Sequence, residues 1–99
     1  MTVEKKFEGT SLSIALKGRL DTTTSPQLEQ ELHPDIDSAT DLVFDLKDLE
    51  YISSAGLRVL LSAQKIMNKQ GTMTIRNASS DVMDVFEVTG FVDILNIEG

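Results

Sequence analysis

Residues 42–61 constrain the fold of this chain more than any other stretch. Leu42-Val43-Phe44-Asp45-Leu46 is a short, nearly continuous apolar run. That is the pattern of a central strand covered on both faces. A short turn is expected after it, and Tyr51-Ile52 then leads into Ser53-Ser54. A helix is expected to start at one of those serines and run to Lys69, with Gly71 ending it. The apolar period changes from strand-like to helix-like within a few residues. Such a chain has to build a layer of helices on a sheet.

The flanking segments repeat this alternation. Val3, Phe7, Leu12, Ile14, Leu16 and Leu20 fall mostly on alternate positions. They indicate two strands, roughly 2–8 and 10–18, joined by a turn at Glu8-Gly9-Thr10. Ser25-Pro26 reads as an N-cap and first helical position, with Leu28 and Leu32 facing inward. Pro34 either stops this helix near His33 or kinks it so that it resumes through Ile36. Thr72-Met73-Thr74-Ile75 alternates again and is a fourth strand. Ser79 or Ser80 caps a third helix that carries Asp81 in its first turn, Val82, Met83 and Phe86 inward, and Gly90 at its end. Phe91, Ile94, Leu95 and Ile97 give a short helical turn and a last strand. The expected fold is α/β: one small domain over residues 1–99, with a mixed, mostly parallel sheet in the order β-β-α-β-α-β-α-β.

Composition removes several classes of function. The 99 residues contain no cysteine and one histidine, His33, beside Pro34. Disulfides, thiolate nucleophiles and cysteine metal sites are excluded, and no catalytic or metal-ligand set and no cofactor site is expected. The carboxylates of Asp21, Asp45, Asp48 and Glu50 have no acid–base spacing, and there is no glycine-rich phosphate loop, so the chain does not read as an enzyme. The net charge of −7 disfavours nucleic acid and anionic membrane surfaces as partners. No apolar run reaches the roughly 18 residues of a membrane span. The start, Met-Thr-Val-Glu-Lys-Lys-Phe-Glu, has no apolar signal core. A cytoplasmic protein, monomeric when free, is expected.

The second helix carries the candidate functional residues. At 3.6 residues per turn, Arg58, Ser62, Lys65 and Lys69 share a narrow polar stripe. Leu57, Val59, Leu60, Leu61, Ala63, Ile66 and Met67 cover more than half the circumference. A helix on a sheet needs an apolar arc of about 100° or somewhat more. The excess means either a helix wedged between the sheet and a neighbouring helix, or an exposed docking surface. Ser53 and Ser54 sit where a helix presents unpaired N–H groups and the positive end of its dipole, which suits an anion such as a phosphoserine. Ser54 precedes Arg58 by one helical turn, so a phosphate on Ser54 can pair with that guanidinium. Serine is also a common N-cap with no further role. Gly56, in the first turn, implies close approach of a partner or tight packing on the sheet.

These residues resemble a known family. Gly18-Arg19-Leu20-Asp21 followed by Thr24-Ser25-Pro26-Gln27-Leu28-Glu29 is similar to the second-strand and first-helix signature of STAS domains. The run from Leu42 through Tyr51-Ile52-Ser53-Ser54-Ala55-Gly56-Leu57 resembles their strand and phosphoacceptor loop, and Phe86-Glu87-Val88-Thr89-Gly90-Phe91 with Ile94-Leu95 their closing segment. The resemblance spans nearly the whole chain and is to bacterial anti-sigma factor antagonists. It implies a protein that, unphosphorylated, binds an anti-sigma factor serine kinase and so releases a sigma factor. Phosphorylation of one serine breaks the complex, and a serine phosphatase resets it. Counting back from Gly56-Leu57, the acceptor falls on Ser54. Ser53 takes the place where the family commonly has aspartate, and is the alternative acceptor. Arg58 stands where many members have glycine. The resemblance implies a partner-binding surface of Asp21, Thr22, Thr23, Thr24, Ser53, Ser54, Ala55, Gly56, Leu57 and Arg58. The competing expectation, favoured by Ser53 in place of the aspartate, is a non-phosphorylated STAS adaptor subunit of another complex such as a lipid transporter.

Overall fold

The computed structural model describes residues 1–98. The elements are β1 (Thr2–Glu8), β2 (Ser11–Leu20), α1 (Ser25–Ile36), β3 (Asp41–Ile52), α2 (Ser54–Gln70), β4 (Thr72–Arg76), α3 (Ser80–Thr89), a 3-10 turn (Phe91–Asp93) and β5 (Ile97–Glu98). This is the element order read from the sequence. One five-stranded sheet runs β1-β2-β3-β4-β5, with β1 antiparallel to β2 and every later pair parallel.

That order explains a departure from expectation. β3 is central but is not covered by helices on both faces. From β2 to β5 the strand order never reverses, so each right-handed crossover places its helix on the same side of the sheet. Leu12, Ile14, Leu16, Leu42, Phe44, Met73 and Ile75 face those helices and are buried. On the other face, Ser13 is exposed and Ala15, Val43 and Asp45 are half-buried. They line a shallow open trough with Glu4, Lys6 and Arg76.

The turn expected after Leu46 is also absent. β3 continues to Ile52, paired with β4 only as far as Asp45 opposite Arg76 and with β2 along its whole length. Two bulges against β2 make this possible. Lys17 and Gly18 face Asp48 and Leu49, and Arg19 faces Tyr51, so β3 twice contributes an extra residue. Each extra residue shifts the inward position by one. Leu46, Leu49 and Ile52 therefore all face the core although they are three apart. A strand whose buried residues recur every third position reads, in sequence, as a polar turn.

α1 runs through Pro34 to Ile36 rather than stopping near His33. Only two helical residues follow the proline, and buried Leu32 and Ile36 hold this end on the core. Gln70 Nε2 bonds the Ile36 and Ala39 carbonyls at 2.6 and 2.8 Å. The α1 cap differs from the sequence reading: Thr24 is the N-cap and Ser25 is the first helical residue. α2 ends at Gly71 as expected, and the Gly71 N–H donates to the Met67 carbonyl. Its φ of 171° is ordinary extended backbone; glycine is needed because a Cβ there would run into the Thr40 carbonyl. Ser79 caps α3 by accepting from Val82 N–H, and Gly90 ends it in the left-handed region at φ 79°.

The apolar excess of α2 is mostly structural. Leu57, Leu60, Ala63 and Met67 are buried, and Val59 is buried on the α1 side. Leu61 is half-buried and Ile66 is exposed, so only a small apolar surface is left outside. Arg58, Ser62, Lys65 and Lys69 are all exposed, as the polar stripe requires. Among the described residues, no helix is long and apolar enough to cross a membrane.

Candidate functional site

The two serines that sequence cannot separate occupy different positions. Ser53 follows the last β3 residue and is the N-cap of α2, with φ −99° and ψ 176°. Its N–H donates to the Leu20 carbonyl at 2.9 Å, and its carbonyl accepts from Leu57 N–H at 2.9 Å. Its hydroxyl accepts a long bond of 3.5 Å from Gly56 N–H. Ser53 is half-buried and committed to the strand–helix junction. Ser54 is the first helical residue and is exposed. Among the described residues its hydroxyl has no hydrogen-bond partner. Arg58, one turn along, is exposed and has no carboxylate within ion-pair distance among the described residues.

Gly56 is explained by packing. A Cβ there would lie 2.7 Å from Leu20 Cγ and 2.9 Å from Ile52 Cγ1. Both neighbours are fully buried. The first turn of α2 is therefore seated on the ends of β2 and β3, which fixes the direction in which its free N–H groups point. Leu57 is buried beside it, so it supports the surface from beneath. Ala55 is half-buried.

The β2–α1 loop lies against this helix start. Asp21 Oδ1 accepts from Thr23 N–H at 3.0 Å, Thr23 Oγ1 at 2.7 Å and Thr24 N–H at 3.1 Å. Thr24 Oγ1 donates to the Arg19 carbonyl at 2.7 Å and accepts from Asp21 N–H at 2.8 Å. Ser25 Oγ donates to the Asp21 carbonyl at 2.6 Å. The loop is thus closed on its own side chains. The Thr23 hydroxyl first, then the Thr24 N–H, hold the Asp21 carboxyl below its ordinary value of 3.8. Thr22 is exposed and contributes to the cleft between α1 and α2.

That cleft, about 290 Å³, is lined by Thr22, Ser25, Pro26, Glu29, Ala55, Arg58, Val59 and Ser62. It brings together Thr22, Ala55 and Arg58 from the expected set. Ser54 and Thr23 are exposed but do not line it, and Asp21, Thr24, Ser53, Gly56 and Leu57 act behind it as supports. Ser25, Pro26, Glu29, Val59 and Ser62 also line it and were not expected in the site. For two of them the signal was spacing: Glu29 lies four residues after Ser25 and Ser62 four after Arg58, so each shares a helix face with another lining residue. Arg19, stacked over the Tyr51 ring at 4.3 Å, borders the same end of the sheet.

A STAS domain model matches residues 2–99. This chain belongs to the STAS domain family. The anti-sigma-B factor antagonist of Bacillus subtilis (strain 168) is 31% identical to it over 98 residues, covering 98% of this chain and 90% of that protein. Among solved structures, the anti-sigma factor antagonist SpoIIAA in its unphosphorylated form superposes with a TM-score of 0.85 at 19% identity, over 99% of this chain and 89% of that one. The phosphorylated form of SpoIIAA, a Bacillus cell fate determinant, gives 0.77 at 18% identity, over 99% and 92%. At such identities the structural matches establish a common fold. The STAS chain shares with them the element order and sheet read above.

Proposed function

We propose that this STAS chain is an anti-sigma factor antagonist that works by partner switching. Unphosphorylated, it binds an anti-sigma factor serine kinase and so releases a sigma factor. Phosphorylation at Ser54 ends the complex, and a serine phosphatase restores it. The chain is then a substrate and binding protein, acting in the cytoplasm with no catalytic group of its own. The observation that carries this reading is the exposed, unbonded Ser54 hydroxyl at the first residue of α2. The B. subtilis relative, itself named an anti-sigma-B factor antagonist, supports it.

The chemistry favours Ser54 over Ser53. A hydroxyl delivered to a kinase has to leave its own structure, and the Ser53 hydroxyl is the helix cap whereas the Ser54 hydroxyl has no partner among the described residues. A phosphate on Ser54 adds about −1.5 to −2 charges at the positive end of α2, within reach of Arg58. Inside a docked interface the same charge meets like charges and loses water, which can cost several kcal/mol. Each 1.4 kcal/mol is about tenfold in affinity, so one phosphate is enough to dissociate a micromolar complex.

The test is phosphopeptide mapping of the protein from its own cells, growing and stressed. A phosphate on Ser54 that changes between conditions is expected. A phosphate on Ser53 alone would overturn the assignment of the acceptor. No phosphate under any condition would favour the constitutive adaptor, to which Ser53 in the usual aspartate position already points.

A further inference from the structure

β1 is one of the two edges of the sheet, β5 being the other, and its geometry is self-complementary. Glu8 pairs with Ser11 across the two-residue turn Gly9-Thr10, with Gly9 at φ 63°. In such a hairpin the residues flanking the turn form a mutually hydrogen-bonded pair, and bonded pairs alternate along the ladder. Thr2, Glu4, Lys6 and Glu8 therefore direct their backbone groups at β2. Val3, Lys5 and Phe7 direct theirs outward, where among the described residues they meet no partner. Phe7 is also one of the exposed large apolar side chains, at 42%.

We infer that β1 pairs antiparallel with β1 of a second copy of this chain about a two-fold axis at Lys5, joining the two sheets. In that register Glu4 of each copy lies opposite Lys6 of the other, on the open face. Val3 lies opposite Phe7 on the helix side. The outward N–H and C=O groups of Val3, Lys5 and Phe7 form a ladder of about six bonds. Glu4 and Lys6 occupy non-hydrogen-bonded positions, where opposed side chains come closest. Sliding the register by two residues either way sets Glu4 against Glu4, or Lys6 against Lys6 and Glu4 against Glu8. Charges on an edge strand ordinarily keep other strands away; here their alternation in sign rejects the slipped registers and accepts one. The two Lys5 side chains meet at the axis with their counter-charges in place. Each is held by Asp35 at 2.8 Å and Glu31 at 3.3 Å of its own α1. This departs from the free monomer expected from the sequence.

A single strand pair buries less than a standard interface, so the association is weak and concentration-dependent. The experiment is sedimentation equilibrium of the intact chain from about 10 µM to 1 mM, which covers dissociation constants in the weak, micromolar-to-millimolar range. The weight-average mass is expected to rise from 10.9 kDa toward twice that value. Glu4→Lys and Lys6→Glu each set like charges opposite one another and should each remain at the monomer mass. Mixed in equal amounts, those two variants are mutually complementary and should associate. Both positions are exposed, and a circular-dichroism melt checks that the variants fold. A monomer throughout the range would overturn the inference. So would a wild-type dimer that both single variants still form, or variants that fail to associate when mixed. The readout is mass, so it stands or falls independently of the state of Ser54.

Discussion

Gly56→Ala tests whether the helix start is set by packing or by access for a partner. On helix propensity alone the change stabilises by up to about 1 kcal/mol. Against this, the new methyl lies 2.7 and 2.9 Å from Leu20 Cγ and Cδ2 and 2.9 Å from Ile52 Cγ1. Two of these, Leu20 Cγ and Ile52 Cγ1, lie within buried side chains rather than at flexible tips, so α2 has to lift. Overpacking costs about 1–3 kcal/mol, and three contacts under 3.0 Å put this site in the upper part of that range, about 1.5–3 kcal/mol. The net expectation is a loss of about 0.5–2 kcal/mol. With a urea m-value of about 1 kcal/mol/M for a chain this short, the unfolding midpoint should fall by about 0.5–2 M with no change in slope. Leu20→Ala removes two of the three contacts at its own cost of about 2–5 kcal/mol. In that background Gly56→Ala should lose most of its penalty, a coupling that a double-mutant cycle reads directly. A midpoint unchanged or raised by Gly56→Ala in the wild-type background would refute the packing account. The glycine would then be explained by what approaches from outside.

The two serines should separate on stability alone. Ser53→Ala removes a cap held by one long bond and should cost about 0.5–1 kcal/mol in urea unfolding, whereas Ser54→Ala should stay within about 0.5 kcal/mol of wild type. Asp21 has its carboxyl held low by Thr23 and Thr24, so its ionised form favours the fold. The advantage of wild type over Asp21→Asn should be complete above pH 3.8 and disappear as pH falls through the lower folded value, seen as converging acid-unfolding curves. Lys5 is shifted the other way, upward from 10.5, chiefly by its bond to Asp35. Its contribution should be present below pH 10.5 and lost as pH rises through the higher folded value. Lys5→Met should therefore flatten the alkaline limb of a stability-versus-pH profile.

Elements defined by local patterns were legible in the sequence, and those defined by pairing were not. The apolar alternation of β1 and β2, the Ser79 cap with Val82 and Phe86, and the glycines that end α2 and α3 correspond to what the structure contains. The extended β3 was illegible because two bulges turn its inward period from two to three, and bulges arise from the register with β2. The uncovered sheet face was illegible because it follows from a strand order that never reverses. At the candidate site, the resemblance pointed to the helix start, but which serine is a cap is a matter of backbone angles. Glu29 and Ser62 join the site only because α1 and α2 lie side by side.

The position of Ser54 also says how a phosphate there has to act. It sits outside the core, on a helix turn clamped from below by Leu20, Ile52 and Leu57. Nothing buried has to move to admit three more oxygens. The β2–α1 loop beside it is closed by Asp21 and two threonines and does not depend on the Ser54 hydroxyl. A switch built this way works through the charge presented to a partner rather than through refolding. Ser54→Glu should then leave the urea midpoint within about 0.5 kcal/mol of wild type, as for other exposed sites, while weakening partner binding. If the same substitution destabilised the chain by several kcal/mol, the switch would have to run through the core instead.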